Sequence, residues 1–192
     1  MDKNQETGNS LLIELLDLIR IILICFVCVF ICTRFFFKPV KVEGASMYPT
    51  LKDSEYGFSN VFSALCNDFS RFDVVVVSSE VTGNENWVKR IIALPGETIE
   101  YKEDKLYIDG SYIEEPFLNE EYKNKTKGEG YFTNDFGPIK LKNNEYFLMG
   151  DNRPVSHDSR AVGAFHGDDI NSKSVLVLFP FNEIGLVNNG NK

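Results

Sequence analysis

"WVKRIIALPGE", Trp87 to Glu97, is the stretch on which the fold turns. Its apolar and β-branched residues, closed off by Pro95 and Gly96, read as a strand. Side chains of a strand alternate between its faces. Lys89 therefore shares a face with Trp87 and Ile91, and Arg90 shares the other with Val88 and Ile92. Such a strand either leaves Lys89 in solvent on a half-exposed face or buries two cations for a purpose.

Outward from Trp87 the same texture repeats. "VKVEG", "EYGFSNVF", "FDVVVVSS", "TIEYKEDKLYID", "EYFLMG" and "SVLVLF" are rich in Val, Ile, Phe and Tyr and are bounded by Gly, Asn, Asp or Pro. "KEDK" and "IDGS" read as hairpin turns. Residues 116–138 hold many Lys, Asn and Gly and few apolar residues, which predicts a long surface excursion. The expectation is a mostly β, largely antiparallel compact domain over 38–185 with no second helix.

Before it stands "LLIELLDLIRIILICFVCVFICTRFFF", and before that a polar stretch, 1–10, expected to be a disordered tail. Residues 11–37 read as a membrane anchor helix. A span from about Leu18 to Phe37 is long enough, with Arg20 and Arg34 snorkelling near its ends. Glu14 and Asp17 leave an amphipathic surface helix as the alternative. "TRFFFKP" offers no small-x-small cleavage site after the apolar run, so the segment reads as an uncleaved signal anchor. Lys and Arg counts do not set its orientation: Lys3 and Arg20 lie toward its N-terminal side, and Arg34, Lys38 and Lys41 toward the other. Residues 186–192 read as a C-terminal tail.

The chain has 192 residues and a formal net charge of −8. That charge argues against a nucleic-acid partner. It would also be repelled by anionic lipid, so contact with a bilayer should be apolar or use Arg34, Lys38 and Lys41. Of four cysteines, Cys25, Cys28 and Cys32 lie in the apolar segment and only Cys66 outside it, which leaves no disulfide framework. With no His or carboxylate between them, the three read as small apolar residues of the helix and not as metal ligands.

The chemistry gathers at three places. "VEGASMYPTL", Val42 to Leu51, presents one serine, Ser46, on a bend just past the anchor. A serine hydroxyl needs a base. A triad of Ser46, His157 and Asp158 is conceivable, though His157 sits in a polar loop and sequence neighbours rarely aim at each other as a triad requires. A lysine serves instead when burial drives down its pKa, and Lys89 lies on an apolar strand. "FLMGDNRPVSHDSR", Phe147 to Arg160, runs from a strand into a turn dense in Asp151, Asn152, Arg153, Ser156, Asp158, Ser159 and Arg160. Alternating acids and arginines there read either as a hydrogen-bonded ion-pair cluster that fixes geometry or as a solvated loop.

"GASMYPTL", "FDVVVV", "WVKRIIALPGE" and "MGDNRPVSHDSR", in this order and after "RFFFKP", resemble the ordered motifs of bacterial type I signal peptidases, over about residues 15–180. The resemblance implies a membrane-anchored serine protease with a Ser/Lys dyad, cutting signal peptides from translocated preproteins on the outer face of the cytoplasmic membrane, after small residues at −3 and −1. It implies no cofactor and no metal. It makes Ser46 the nucleophile, with its backbone N–H in the oxyanion hole, and Lys89 the general base. Ser156 falls on the serine that orients the lysine amine. Arg90, Asp151, Arg153, Asp158 and Arg160 fall on structural polar positions, and Val40, Val42, Met47, Leu51 and Val88 on pocket walls. Gly44 stands where some members carry a second oxyanion donor, and Pro154 and Val155 replace polar residues. The implied partners are preproteins and the bilayer; the oligomeric state is not implied. The competing readings are a self-cleaving Ser/Lys repressor-type protease and a catalytically silent membrane-anchored binding protein.

Overall fold

The computed structural model describes residues 3–67 and 69–187, and side chains from Ile13 onward. The chain divides into two compact units, one up to Phe37 and one from Lys38 on. The first is α1 (Lys3–Phe35). Its 23 residues Ile13–Phe35 are apolar enough to cross a membrane, and their side chains are exposed. At 1.5 Å per residue they measure roughly 34 Å, against about 30 Å of hydrocarbon. Thr33 returns its hydroxyl to the Val29 carbonyl at 2.9 Å, so its polar group is satisfied inside the helix. Helix begins at Lys3, within the stretch expected to be a tail; Met1 and Asp2, and residues 188–192 of the expected C-terminal tail, lie outside the described residues.

The second unit is built on one large sheet. Its strands are β1 (Phe37–Lys41), β2 (Tyr56–Asn60), β3 (Val74–Val77), β4 (Trp87–Ala93), β9 (Glu145–Met149), β10 (Phe165–His166), β11 (Ile170–Phe179) and β12 (Gly185–Leu186). They run in the order β1-β2-β11-β3-β4-β9-β10, with β12 on β11. A second sheet, β7-β6-β5-β8, comprises β5 (Thr98–Lys102), β6 (Lys105–Ile108), β7 (Ser111–Ile113) and β8 (Phe136–Lys140). Short helices α2 (Phe62–Leu65), α3 (Glu120–Thr126) and α4 (Ser159–Val162) fill connections. The pairings from β2–β11 through β3–β4 and β4–β9 to β5–β6 are antiparallel, as expected.

Both hairpin turns form. Glu103 and Asp104, and then Asp109 and Gly110, all have positive φ, as a two-residue turn between twisted strands requires. The four valines of β3 are buried on both faces. β4 is buried from Lys89 to Ala93, so the solvent-exposed alternative for Lys89 does not hold. One core, with Ile92, Tyr101, Phe147 and Met149, joins the two sheets. Another, with Val42, Met47, Leu51 and Val74, lies under the serine bend.

The excursion at 116–138 differs from expectation. It contains α3, begun by Asn119, whose side chain accepts from the Tyr122 N–H at 2.7 Å. Phe117, Phe132 and Thr133 are buried. The helix escaped the sequence reading because seven residues, five of them charged or Asn, show no apolar period.

Candidate active site

Ser46 lies in the turn between β1 and β2, and Lys89 on β4. Lys89 Nζ hydrogen-bonds to Ser46 Oγ at 3.0 Å and to the Val88 carbonyl at 3.2 Å. Lys89 is 4% exposed. Burial pulls its pKa down to about 8, against smaller opposing pulls from the Asp158 and Asp151 carboxylates. Its ammonium also stands 5.3 Å from the centre of the Trp87 ring, two residues along the same strand face. A buried, weakly basic amine at a serine hydroxyl has the chemistry that a general base working near neutral pH requires.

The bend that carries Ser46 is held from both ends. Gly44 has φ +84°, a conformation glycine adopts without penalty, and its N–H donates to Asp53 Oδ1 at 2.7 Å. The Ser46 carbonyl accepts from the Asn152 N–H at 3.0 Å, and Asn152 Nδ2 donates to the Ala45 carbonyl at 3.0 Å. The Ser46 N–H itself donates to no acceptor among the described residues. Gly150 is packed so closely that a Cβ on it would collide with both Ser156 Oγ and the Ser46 carbonyl.

The polar turn is an ion-pair cluster and not a solvated loop. Arg90 grips Asp151 with two hydrogen bonds, Nε to Oδ1 at 2.8 Å and Nη2 to Oδ2 at 2.7 Å, both side chains essentially inaccessible. Thr50 Oγ1 donates to the same carboxylate at 2.5 Å. Arg160 grips Asp158 at 2.9 Å on each oxygen. Burial alone would raise the Asp158 carboxyl, but Arg160 and the Gly150 N–H bring it below its ordinary value. Arg153 pairs with Glu115 at 2.5 Å, a residue the sequence reading did not single out. A signal was present: the 147–160 turn offers Asp151 and Asp158 to Arg153, Arg160 and the neighbouring Arg90, so a third buried arginine called for a carboxylate from outside that turn.

Other expected site residues fall variously. Val42, Met47 and Val88 line a groove of about 430 Å³ that contains Ser46 and Lys89. Val40 and Val88 line its continuation of about 510 Å³, between residues 38–43 and 84–88. Leu51 is sealed in the core and lines neither. The Ser156 hydroxyl is buried, close enough to Asp158 to favour that carboxylate, but makes no hydrogen bond of normal geometry and does not reach the Lys89 amine. His157 is exposed and edges onto Trp87 at 5.6 Å, while Asp158 is engaged by Arg160 and Gly150. His157 thus stands in the wall of the groove, with no hydrogen bond to Ser46. His157→Ala should keep kcat within about threefold of the parent in a peptide-cleavage assay; loss comparable to that of a Ser46 variant would return the triad to consideration. Cys25, Cys28, Cys32 and Cys66 are all free and exposed, and no metal-binding cluster of His, Cys, Asp and Glu occurs among the described residues.

Known proteins resemble this chain in sequence and fold. A signal peptidase I from Bacillus amyloliquefaciens is 44% identical over 184 residues, covering 95% of this chain and 97% of its own. Signal peptidase I S of Bacillus subtilis is 42% identical over 177 residues, covering 91% and 95%. A crystal structure of a signal peptidase I from Enterococcus faecalis superposes with a TM-score of 0.50 at 32% identity, covering 55% of this chain and 95% of that one. The family model described as signal peptidase, peptidase S26, matches residues 15–179, and the chain belongs to that family of peptidases.

Proposed function

We propose that this protein is a membrane-bound serine endopeptidase that removes signal peptides from translocated preproteins, with Ser46 as nucleophile and Lys89 as general base. The observation that carries the reading is the 3.0 Å contact between Ser46 Oγ and a lysine whose amine is desolvated. In its neutral form the amine accepts the hydroxyl proton as Oγ attacks the scissile carbonyl. The developing oxyanion is met by the Ser46 N–H, which has no other partner among the described residues. The protonated amine then gives its proton to the leaving nitrogen, and water, activated in the same way, releases the acyl group from Ser46. Asn152 and the two bidentate arginine pairs keep the bend and the turn in place during these steps. Ser156 would contribute once its hydroxyl turns toward the amine.

Specificity follows from the groove. Two strand edges border it: β1 ends its sheet, and β9 pairs with β4 only from Arg90 onward, which leaves the Trp87–Lys89 edge open. An extended peptide laid between such edges gains main-chain hydrogen bonds and points alternate side chains at the walls. Val42, Met47 and Val88 favour small residues at −1 and −3, where larger ones clash. The catalytic unit belongs on the extracytoplasmic face, where translocated substrates emerge, with α1 as a single-pass anchor in the cytoplasmic membrane.

The test is cleavage of two peptides by the full chain in detergent micelles. With alanine at −3 and −1, cleavage should fall between −1 and +1. Replacing the −1 alanine by phenylalanine should lower kcat/KM by about 100-fold or more. Equal cleavage of both would overturn the pocket assignment, and no cleavage of either would favour the catalytically silent binding protein.

A further inference from the structure

The turn from Gly150 to Arg160 holds Ser46 by its backbone, yet only its last two residues, Ser159 and Arg160, are helical. Arg153 ties it together. Its Nε donates to the Gly150 carbonyl at 3.0 Å, and its own carbonyl accepts from Arg160 at 2.8 Å. The remaining donors of this buried guanidinium leave the turn altogether. They reach both carboxylate oxygens of Glu115, the Thr133 hydroxyl at 3.2 Å and the Tyr101 hydroxyl. Burial opposes the charge on Arg153, but the Glu115 carboxylate, the foremost of its favourable partners, together with Tyr101 and Asp151 holds the proton on. The same excursion touches the other half of the site: Tyr122 of α3 packs edge-on to Tyr48, two residues past Ser46, at 5.0 Å.

We propose that Glu115 is a positioning residue for peptide cleavage: by neutralising and orienting Arg153 it sets where the Gly150–Arg160 turn holds the Ser46 bend. The proposal rests on the Ser46–Lys89 reading above. Without the carboxylate, Arg153 is a buried cation whose nearest alternative acid, Asp151, is already gripped by Arg90. The guanidinium must then shift or draw in water, and it takes with it the Gly150 carbonyl and the Arg160 link. Gly150 has no slack on the other side, where it abuts the Ser46 carbonyl and Ser156. The substrate groove is not lined by Glu115, so binding is spared.

The experiment compares the full chain with Glu115→Gln, Glu115→Ala and Tyr101→Phe, using Glu120→Ala on the exposed face of α3 as the neutral control. Each is assayed below its own unfolding temperature, with folding followed by circular dichroism. Glu115→Gln should lower kcat about tenfold with KM within about twofold, and Glu115→Ala should lower it further. In both, the acid limb of the pH–rate profile should move above about 8 as water reaches the Lys89 amine. Tyr101→Phe, which removes one hydroxyl and retains the ring, should lower kcat about threefold and supplies the answer if the Glu115 variants do not fold. Unchanged kcat and acid limb in folded variants, whatever their melting temperatures, would overturn the proposal and make the pair purely structural. Ser46→Ala run alongside separates the two claims: full activity in that variant would instead overturn the reading of the site.

Discussion

Lys89→Arg is expected to lose cleavage by about ten-thousandfold or more, the scale on which removing a member of a nucleophile–base pair acts. Ser46→Ala should match it. Arginine stays protonated at any working pH, so it offers Ser46 no lone pair. In the parent enzyme kcat/KM should rise with pH through about 8. The direction follows from which form works: below that value the amine is charged and each pH unit leaves roughly a tenth as much free base. At pH 7 about a tenth of the molecules carry it, and a peptide covering the groove raises that share by excluding water. Stability should move with the same titration. Between about 8 and the ordinary 10.5 the unfolded chain holds a proton on Lys89 that the folded chain does not, so stability rises with pH across that window. Lys89→Met should flatten the rise and be the more stable protein at pH 7. An acid limb near 10.5 would mean that the amine is solvated in the working enzyme, and a limb that vanishes in His157→Ala would move the base role to that histidine.

The second large effect is expected from the smallest change. Gly150→Ala adds one methyl group where the Ser156 hydroxyl and the Ser46 carbonyl already stand. The glycine is not there for a left-handed backbone, since its φ is not positive; it is there because two chain segments meet with no room for a side chain. The neighbours cannot yield cheaply. The Ser46 carbonyl is backbone and is fixed by the Asn152 N–H, and β9 holds Gly150 from the side of Met149. Displacing the bend by a fraction of an ångström takes Oγ away from the amine and from the line of attack, which should lower kcat by about 100-fold. Overpacking should also remove about 1–3 kcal/mol of stability. Kinetics together with thermal unfolding of the variant check both. Activity within threefold of the parent would mean that the bend is not held at Gly150.

Most of the large sheet was legible because its signals are local. Val74 to Val77 is a run that fits only a strand buried on both faces, and the turns at Glu103–Asp104 and Asp109–Gly110 carry residues that tolerate positive φ. Ser46 and Lys89 were legible as a pair only through the resemblance of the motifs; from the residues alone Lys89 could as well have stood in solvent, and the structure puts its amine 3.0 Å from Ser46 Oγ. The parts that escaped are those whose reason lies far away along the chain. Glu115 looks like any acid beside a proline until Arg153, 38 positions later, arrives next to it. Asn152 sits in a polar run where nothing distinguishes it, yet both its backbone and side-chain amides hold the bend 107 positions earlier. β8 contains Pro138, which disfavours a central strand; it lies at the edge of its sheet, where proline is admitted.

If the groove between residues 38–43 and 84–88 takes the substrate, as proposed, it dictates the shape in which that substrate arrives. Only an extended backbone fits between two open strand edges, whereas apolar segments inside a bilayer are obliged to be helical. A preprotein must therefore change conformation between its membrane-embedded part and its cut site. Each residue that passes from helix to strand lengthens the chain from about 1.5 to 3.3 Å, so five such residues gain roughly 9 Å of reach. On the proposed function, unwinding would bring the scissile bond to Ser46, and a helix-breaking glycine or proline a few residues before the cut would lower the work of doing so. Substrates whose helix continues unbroken through the −5 to −1 positions should be processed slowly even with alanine at −3 and −1. On the proposed function, selection would accordingly be exercised on secondary structure as well as on side-chain size.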